Sequence, residues 1–283
     1  MDTITTVAEL RAHTKAWRLK DERIAFVPTM GNLHAGHLKL VQHAKVLAPR
    51  VVVSIFVNPM QFSAGEDYES YPLTMGPDTE ALMELDADLL FTPSVAEVYP
   101  GGVKHSTSVV VPGLNSILEG EHRPSHFNGV TTVVAKLFNI VQPDIAVFGE
   151  KDYQQLLIIK RMVCDLDMPV AIEAVETVRE DDGLAMSSRN NYLQVAERGI
   201  ASQLYQVLLD VKAAVEAGET DFQRVEGVAT QRLAETGLEP DYVSIRRQGD
   251  LEPPVAGDGQ LVVLAAVRVG ATRLIDNLKI SIT

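Results

Sequence analysis

Residues 24–37 read IAFVPTMGNLHAGH, a short apolar run followed by a turn that contains two glycines. The run Ile24–Val27 is continuously apolar and ends at Pro28, which predicts a buried strand. From Leu38 to Leu47, apolar side chains recur at helical spacing. A strand, a glycine-containing turn and a helix, in this order, are typical of the repeating unit of a parallel α/β sheet.

The alternation of strand and helix continues to about residue 176. Strands are predicted at Arg50–Val57, Asp88–Phe91, Ile145–Phe148 and Val170–Val175, and helices at Met75–Leu85, Val130–Val141 and Leu156–Leu166. Upstream, Thr6 and Glu9 have the spacing of a capping box at the start of a helix. Because the strands are apolar throughout, helices must cover both faces of the sheet. The sequence therefore predicts an α/β fold with a Rossmann-like parallel sheet.

The pattern changes near Thr177, where the polar run Glu180–Gly183 predicts a turn. Two helices and three strands are predicted beyond it, at Glu197–Ala217, Phe222–Thr236, Tyr242–Ile245, Leu261–Val269 and Leu274–Ile280. Gly270 and Ala271 separate the last two strands, as in a hairpin. We therefore expect a larger domain over residues 1–176 and a smaller α+β domain over residues 177–283.

Composition limits the classes of function. The 283 residues include 25 basic and 38 acidic side chains, for a formal net charge of −13. So acidic a chain is not typical of a nucleic-acid-binding protein, which needs a basic face for phosphates. A small anionic ligand is still compatible with this charge, because a local cluster of basic groups can override the global sign.

The chain has one cysteine, Cys164, which excludes an internal disulfide framework and a cysteine-based zinc site. Its position in an apolar-periodic stretch predicts a small buried side chain. No apolar run approaches the ~18 residues of a membrane span, and the N-terminal residues do not resemble a secretory signal. We expect a cytoplasmic protein without a membrane partner.

The segment 28–37, at the turn between the first strand of this unit and its helix, is the first candidate site. In open α/β sheets, ligands bind beyond the carboxyl ends of strands, and a helix N-terminus attracts anions. Gly31 and Gly36 let the main chain approach a phosphate, while His34 and His37 share a helical face and can donate hydrogen bonds to it. The alternatives are a helix-capping loop with solvated histidines, or a zinc site that lacks a third ligand nearby.

The segment 56–62, just after another strand, is the second candidate. Asn58 and Gln61 can each donate and accept hydrogen bonds, which suits a substrate with hydroxyl or amide groups. Met60 and Phe62 would supply apolar walls around such a substrate. An ordinary proline turn is the alternative.

Two further segments carry cationic groups. In residues 148–155, Lys151 is a candidate phosphate ligand, Asp152 a candidate for ribose or metal, and Gln155 lies one helical turn further on. Residues 186–190 place two hydroxyls beside Arg189, a set that can hold phosphate oxygens and close over a bound ligand. A surface charge cluster and a helix cap are the respective alternatives.

The placement of these segments is more informative than any one of them. Three follow predicted strands and the fourth lies at the domain junction, whereas neither a P-loop nor a dinucleotide fingerprint occurs. The basic groups of His34, His37, Lys151 and Arg189 would then converge. This predicts a site for a nucleoside triphosphate that is built without a P-loop.

Six segments carry a resemblance to a known family. His34-Ala35-Gly36-His37 resembles the His-x-Gly-His signature of the nucleotidyltransferase superfamily, and residues 186–189 resemble its second phosphate-binding motif, with Arg189 where many relatives have lysine. More narrowly, the chain resembles the pantoate–β-alanine ligase family. The matching segments, in family order, are residues 28–37, 56–62, 123–130, 148–155, 186–190 and 272–277.

The resemblance implies an AMP-forming ligase. ATP and pantoate would give pantoyl adenylate and pyrophosphate, and β-alanine would then displace AMP to form pantothenate. Catalysis of such an in-line displacement is mostly positioning and charge stabilisation. The resemblance also implies ATP as a substrate with Mg²⁺, no tightly bound organic cofactor, only small-molecule ligands, and a homodimer.

The resemblance implies a role for individual residues. The catalytic set is His37, His34, Lys151 and Arg189. The ATP-binding set is Met30, Gly31, Asn32, Leu33, His34, Ala35, Gly36, His37, Gly149, Glu150, Lys151, Asp152, Val178, Met186, Ser187, Ser188 and Arg189. Pantoate would contact Gln61 and Gln155, β-alanine would contact Gln61, Arg123 is a weaker candidate, and the metal ligands are not identified.

Three other functions share some of these features. An adenylyltransferase with a phosphorylated acceptor would need further basic residues in its pocket, where the sequence offers the neutral Asn58, Gln61 and Gln155. A nucleotide-sensing module would bind ATP without turnover. A fragment of a tRNA synthetase fits poorly with the net charge of −13.

Overall fold

The apolar run at residues 24–29 forms a central strand of a parallel sheet in the computed structural model, which describes residues 1–63, 66 and 68–282. The strands of this sheet are β1 (Asp2–Ile4), β2 (Ile24–Thr29), β3 (Arg50–Ile55), β4 (Leu89–Phe91), β5 (Ile145–Gly149) and β6 (Ala171–Val175). They lie in the order β1-β4-β3-β2-β5-β6, and each pairs in parallel with its neighbours. The chain order changes direction between β2 and β5, and this switch point is where open α/β sheets bind ligands.

Helices cover both faces of the sheet. They are α1 (Val7–Arg18), α2 (Ala35–Leu47), α3 (Met75–Glu84), α4 (Val95–Val98), α5 (Glu119–His122), α6 (His126–Val141) and α7 (Tyr153–Asp165). Ile24 and Phe26 of β2 join a core with α1, α6 and α7. The alternate residues Ala25 and Val27 join a second core with α2 and α3. This alternation confirms the predicted parallel sheet with two covered faces.

The C-terminal part contains the elements α8 (Val195–Ala201), α9 (Gln203–Glu216), α10 (Phe222–Glu235), β7 (Glu239–Arg247), β8 (Gln260–Val269) and β9 (Thr272–Ser281). The three strands form an antiparallel sheet in the order β7-β8-β9. Leu208 of α9 and Leu233 of α10 pack with Val263 and Ala265 of β8 in one buried cluster. The predicted α+β arrangement and the hairpin between β8 and β9 are confirmed.

The described chain divides into two compact units. The first unit contains residues 1–150 and 155–176, and the second contains residues 151–154 and the chain from Thr177 onward. The second unit therefore includes a four-residue turn from the middle of the predicted larger domain. None of the described helices combines the length and the apolar character needed to cross a membrane.

The helix predicted at residues 197–217 is divided at Ser202, whose hydroxyl donates to the carbonyl of Gly199 at 3.0 Å. Such a side-chain bond competes with the helical main-chain pattern.

The predicted capping box at the start of α1 is confirmed. Oγ1 of Thr6 accepts from the N–H of Glu9 at 3.2 Å, and Oε2 of Glu9 accepts from the N–H of Thr6 at 3.2 Å.

The expectation that Cys164 is buried is wrong, because its side chain is exposed. The buried face of α7 includes Ile158, Ile159 and Met162. Cys164 follows Met162 by two positions, which corresponds to about 200° around a helix. Periodicity alone placed it in the right helix and on the wrong face.

Gly129 of α6 generates a prediction about stability. A Cβ at this position would overlap the main-chain carbonyl of Met60. We expect Gly129→Ala to lower the free energy of unfolding by roughly 1–3 kcal/mol, as overpacking of a core does. Urea denaturation measures this change.

Gly227 of α10 is a matched control, because it is also helical and a Cβ there would contact nothing within 4 Å. Gly227→Ala should leave stability unchanged or raise it by up to about 1 kcal/mol, through helix propensity. Equal effects of the two substitutions would contradict the packing argument.

Candidate active site

The turn between β2 and α2 is held by the carboxylate of Asp78 on α3. The N–H of Asn32 donates to Oδ2 of Asp78 at 2.8 Å, and the N–H of Leu33 donates to Oδ1 at 2.9 Å. Asp78 is only 2% exposed. Gly31 has φ +87°, and a Cβ there would lie 3.0 Å from Cγ2 of Ile55. The buried carboxylate of Asp78 therefore fixes the shape of this turn. Asp78 was not among the candidate residues predicted from the sequence.

His34 and His37 are oriented by the main chain at the start of α2. Nδ1 of His34 accepts from the N–H of Gly36 at 3.1 Å, and Nδ1 of His37 accepts from the N–H of His34 at 3.4 Å. A ring nitrogen that accepts carries no proton, so each neutral imidazole has its proton on Nε2. The ring centroids are 4.1 Å apart. Both rings thus present an Nε2–H donor.

This arrangement suits an anion. The N-terminus of α2 contributes main-chain N–H groups and the positive end of its dipole. Two imidazole donors beside that terminus can stabilise negative charge that grows on a phosphate during reaction. Capping by His34 therefore occurs together with donor alignment, so the helix-capping alternative does not exclude ligand binding.

Gln61 lies at the end of a short 3-10 turn, Pro59–Gln61, that follows β3. Its Nε2 lies 2.8 Å from Sδ of Met30, and its Oε1 accepts from Nδ2 of Asn58 at 3.3 Å. Asn58 is 1% exposed and accepts from the hydroxyl of Tyr99 at 2.7 Å. Burial raises the pKa of Tyr99, so its hydroxyl stays a donor. Asn58 orients Gln61, a role that differs from the direct substrate contact expected from sequence.

The main chain of Gln61 is held by His126, which the sequence analysis left without a role. Nδ1 of His126 lies 2.8 Å from the carbonyl oxygen of Gln61, and Nε2 lies 3.1 Å from Nη1 of Arg123. Because arginine can only donate, Nε2 accepts and Nδ1–H donates to Gln61. Burial lowers the pKa of His126 to about 4, and the positive charge of Arg123 acts in the same direction. The ring is therefore neutral at physiological pH.

Arg123, the weaker candidate, is committed to protein contacts. Its guanidinium forms two hydrogen bonds of 2.8 Å with the carboxylate of Glu66. It also approaches the carbonyl oxygen of Gln61 at 3.5 Å. Arg123 thus supports the same residue as His126 and is a positioning group.

The carboxyl end of β5 contributes Gly149 and Glu150, and β5 pairs directly with β2 at the switch point. Both residues are partly buried, as is Gln155 in the first turn of α7. The first unit therefore brings the turn 30–37 and Gln61 together through Met30, and it places Gly149 and Glu150 at the adjacent strand end.

The second unit carries the remaining predicted site residues. Nζ of Lys151 lies 3.8 Å from Oδ1 of Asp152, and the Lys151 side chain is 20% exposed. The hydroxyl of Tyr153 donates to the carbonyl of Gln248 at 3.0 Å, which ties this turn to the rest of the unit.

Residues 178–190 form a hydrogen-bonded hairpin in the same unit. The N–H of Glu180 donates to the carbonyl of Leu184 at 2.9 Å, and the N–H of Met186 donates to that of Val178 at 2.9 Å. Oγ of Ser187 accepts from the N–H of Arg189 at 3.2 Å and so caps the 3-10 turn Ser188–Tyr192. The alternative considered for this segment, a cap of the later helix, does not hold, because Ser187 caps this 3-10 turn and Gln194 is the N-cap of α8.

A common site for His34, His37, Lys151 and Arg189 would need residues of both units, and it stays a prediction.

A metal site is not indicated by the described residues. Outside residues 64, 65, 67 and 283, the chain has no group of three or more His, Cys, Asp or Glu side chains that could hold a metal ion. The zinc alternative at His34 and His37 therefore gains no support from the described residues.

Comparison with known proteins decides the family. A sequence model of the pantoate-beta-alanine ligase family matches residues 2–279. The chain belongs to the pantoate–β-alanine ligase family. It is 54% identical to the pantothenate synthetase of Methylococcus capsulatus over 282 residues, which cover 100% of this chain and 99% of that protein. It is 52% identical to that of Azotobacter vinelandii over 282 residues, with 100% of both chains covered.

Solved structures of the pantoate–β-alanine ligase family share the fold. The pantothenate synthetase of Thermus thermophilus superimposes with a TM-score of 0.91 at 46% identity, covering 98% of this chain and 99% of that one. The ligase of Francisella tularensis, described as complexed with beta-gamma ATP and beta-alanine, has a TM-score of 0.83 at 34% identity, covering 98% and 97%. The resemblance drawn from six motifs is confirmed, and the protein is a ligase.

The neutral, buried state of His126 predicts a pH dependence of stability. In the unfolded chain a histidine has a pKa near 6.5, whereas in the folded protein the pKa of His126 is about 4. Between these values the unfolded state binds more protons, so stability should fall as the pH is lowered from about 6.5 to 4, by roughly 2–3 kcal/mol from this group.

Urea denaturation at several pH values measures this dependence. His126→Gln should flatten the slope in that window, while His105→Gln, at an exposed histidine, should keep it. The same slope in the wild type and in His126→Gln would show that His126 does not stay neutral in the fold.

Proposed function

We propose that the protein condenses pantoate with β-alanine at the expense of ATP, through a pantoyl adenylate. Membership of the family supports this reaction, and so does the Francisella tularensis relative, which is described as a complex with beta-gamma ATP and beta-alanine. The observation that carries the proposal is that Nδ1 of His34 and of His37 each accepts from a main-chain N–H at the start of α2, which leaves Nε2 of each ring as the donor. Such donors need no reorganisation when charge develops on a phosphate.

In the first step, a carboxylate oxygen of pantoate attacks the α-phosphorus of ATP. The bond to the bridging oxygen of the pyrophosphate breaks, and pyrophosphate leaves with the electron pair. We assign the developing charge to His37 and His34, and the leaving pyrophosphate to Lys151, Ser187, Ser188 and Arg189. The rest of the nucleotide would contact the main chain of residues 30–37 together with Gly149, Glu150, Asp152, Val178 and Met186.

In the second step, the amine of β-alanine attacks the pantoyl carbonyl carbon and AMP leaves. Gln61 and Gln155 would hold pantoate by hydrogen bonds, and Gln61 would also lie near the amine. The support for Gln61 is its rigidity, because its side chain is held by Asn58 and Met30 and its main chain by His126. A rigid amide positions a substrate at a smaller cost in entropy than a mobile one.

Three further properties belong to the same proposal. Mg²⁺ in nucleotide sites is held largely by phosphates and water, so we propose that it enters with ATP and assign it no protein ligand. We also propose a homodimer, as the family resemblance implies, and a cytoplasmic location. Light scattering on the purified protein tests the dimer.

The proposed reaction is tested by an assay with ATP, pantoate and β-alanine in which each substrate is omitted in turn. Pantothenate and AMP should form only when all three are present. Transfer of AMP to a phosphorylated acceptor without any amine would instead favour an adenylyltransferase, and ATP binding without pyrophosphate release would favour a sensing module.

The role of His37 predicts a specific defect. Removing one donor to a transition state typically lowers the rate by roughly 10²–10³, so His37→Ala should slow adenylation by that factor. Pyrophosphate release that depends on pantoate measures this step. His43→Ala, on the same helix but outside the turn, should leave the rate near that of the wild type, and an unchanged kcat/KM in His37→Ala would remove His37 from the reaction.

The role of Gln155 predicts a selective effect on one substrate. Gln155→Ala should raise the KM for pantoate about tenfold, as expected for the loss of one substrate hydrogen bond, with a smaller change in the KM for ATP. Gln42→Ala, at an exposed position on α2, serves as the control. Equal increases of both KM values would place Gln155 outside the pantoate pocket.

A further inference from the structure

Asp276 and Asn277 belong to a segment that carries the family resemblance, yet neither has a part in the chemistry proposed above. Both lie on β9 and are buried, with 3% and 6% of their surface exposed. The N–H of Asn277 donates to Oδ1 of Asp276 at 2.8 Å. Two adjacent polar residues in a buried strand need partners, and the identity of those partners indicates what the pair does.

Asn277 contacts the turn that bears Lys151. Its Nδ2 donates to the main-chain carbonyl of Lys151 at 2.8 Å. This bond fixes the main chain at Lys151 while leaving the ammonium group to other contacts. The same turn is held by the hydroxyl of Tyr153, so the base of the Lys151 side chain is anchored on both sides of Asp152.

Asp276 contacts the hairpin that bears Ser187 and Arg189. Its carboxylate accepts two hydrogen bonds from the guanidinium of Arg179, at 2.6 Å and 3.0 Å. Arg179 also donates to the carbonyl of Gly183 at 3.1 Å and to that of Asn277 at 3.2 Å. Its guanidinium lies 3.8 Å from the ring centroid of Tyr205. One arginine thus joins the hairpin tip, β9 and α9.

The energetics of this cluster favour a geometric role. Burial raises the pKa of Asp276, and the hydrogen bonds from Arg179 lower it in turn. A buried ion pair adds little net stability compared with apolar side chains of similar volume, because both charges lose their hydration. What the pair supplies is a fixed distance and orientation between β9 and the hairpin.

We propose that Asp276 and Asn277 are positioning residues that set the Lys151 turn and the 178–190 hairpin in one arrangement before ATP binds. This inference rests on the proposed function, since it concerns the groups assigned to the phosphates. Preset groups bind a polyanion better because they lose less conformational freedom on binding. It also explains why the turn 151–154 belongs to the second unit together with the hairpin.

The first test needs no substrate. Amide hydrogen exchange of the ligand-free protein is followed in peptides that cover residues 151–154 and 178–190. Asp276→Asn and Asn277→Ala should each speed exchange about tenfold or more in both segments, because the two anchors share one cluster. Acceleration in both segments by a change at either residue is the expected signature.

Asp241→Asn is the matched control. Asp241 pairs with Arg273 of the same strand as Asp276 at 2.6 Å, and the two side chains are 16% and 17% exposed. Loss of this pair should leave exchange in residues 151–154 and 178–190 as in the wild type. Should Asp276→Asn fail to fold, Asn277→Ala keeps the test decisive, since it removes a neutral side chain and its hydrogen bond to the Lys151 carbonyl and creates no uncompensated charge.

The second test is kinetic. Asn277→Ala should raise the KM for ATP about tenfold and lower the adenylation rate roughly tenfold to hundredfold, as small displacements of positioned groups do. The KM for β-alanine should stay within about twofold of its wild-type value. A merely structural role would lower the melting temperature and the active fraction while leaving both KM values unchanged.

Two results would overturn the inference. One is that amide exchange in residues 151–154 and 178–190 is no faster in Asn277→Ala and Asp276→Asn than in Asp241→Asn. The other is a kinetic defect in Asn277→Ala that disappears after correction for the folded fraction. A wild-type protein inactive with all three substrates would instead refute the proposed function, and the exchange measurement would still decide whether the cluster holds both segments.

Discussion

The hydrogen bonds from two successive N–H groups to the carboxylate of Asp78 are the constraint on which the N-terminal part of the site depends. They fix the turn after β2, and this turn determines where His34 caps α2. The cap in turn aligns His37 through the main chain of His34. The buried carboxylate of Asp78 therefore determines the direction of the His34 and His37 donors at the carboxyl end of the sheet.

The same principle recurs at each part of the site. Gln61 is supported by His126 and Asn58, and the turn of Lys151 is supported by Asn277. The supporting groups are buried, and most of their polar side-chain atoms have a partner within the protein. Polar networks of this kind are costly when incomplete, so they specify one geometry strongly.

Sequence reasoning predicted the architecture because local signals agree with the tertiary structure. The apolar run Ile24–Val27, the capping pair at Thr6 and the hairpin at Gly270 each depend on neighbours along the chain. Three of the four candidate segments follow predicted strands, which is also a local signal. The supporting contacts were not predicted, since Asp78 lies 46 positions from Asn32 and Asn277 lies 126 positions from Lys151. Contacts at such separations leave no periodic signal in a single sequence.

The exposed thiol on α7 has a practical consequence. Cys164 is the sole cysteine among 283 residues, and it lies on the outer face of its helix. A maleimide dye would therefore label the native polypeptide at a single known atom without prior mutagenesis. Adding one engineered thiol in the C-terminal unit would then permit fluorescence energy transfer between the two units to be recorded during turnover.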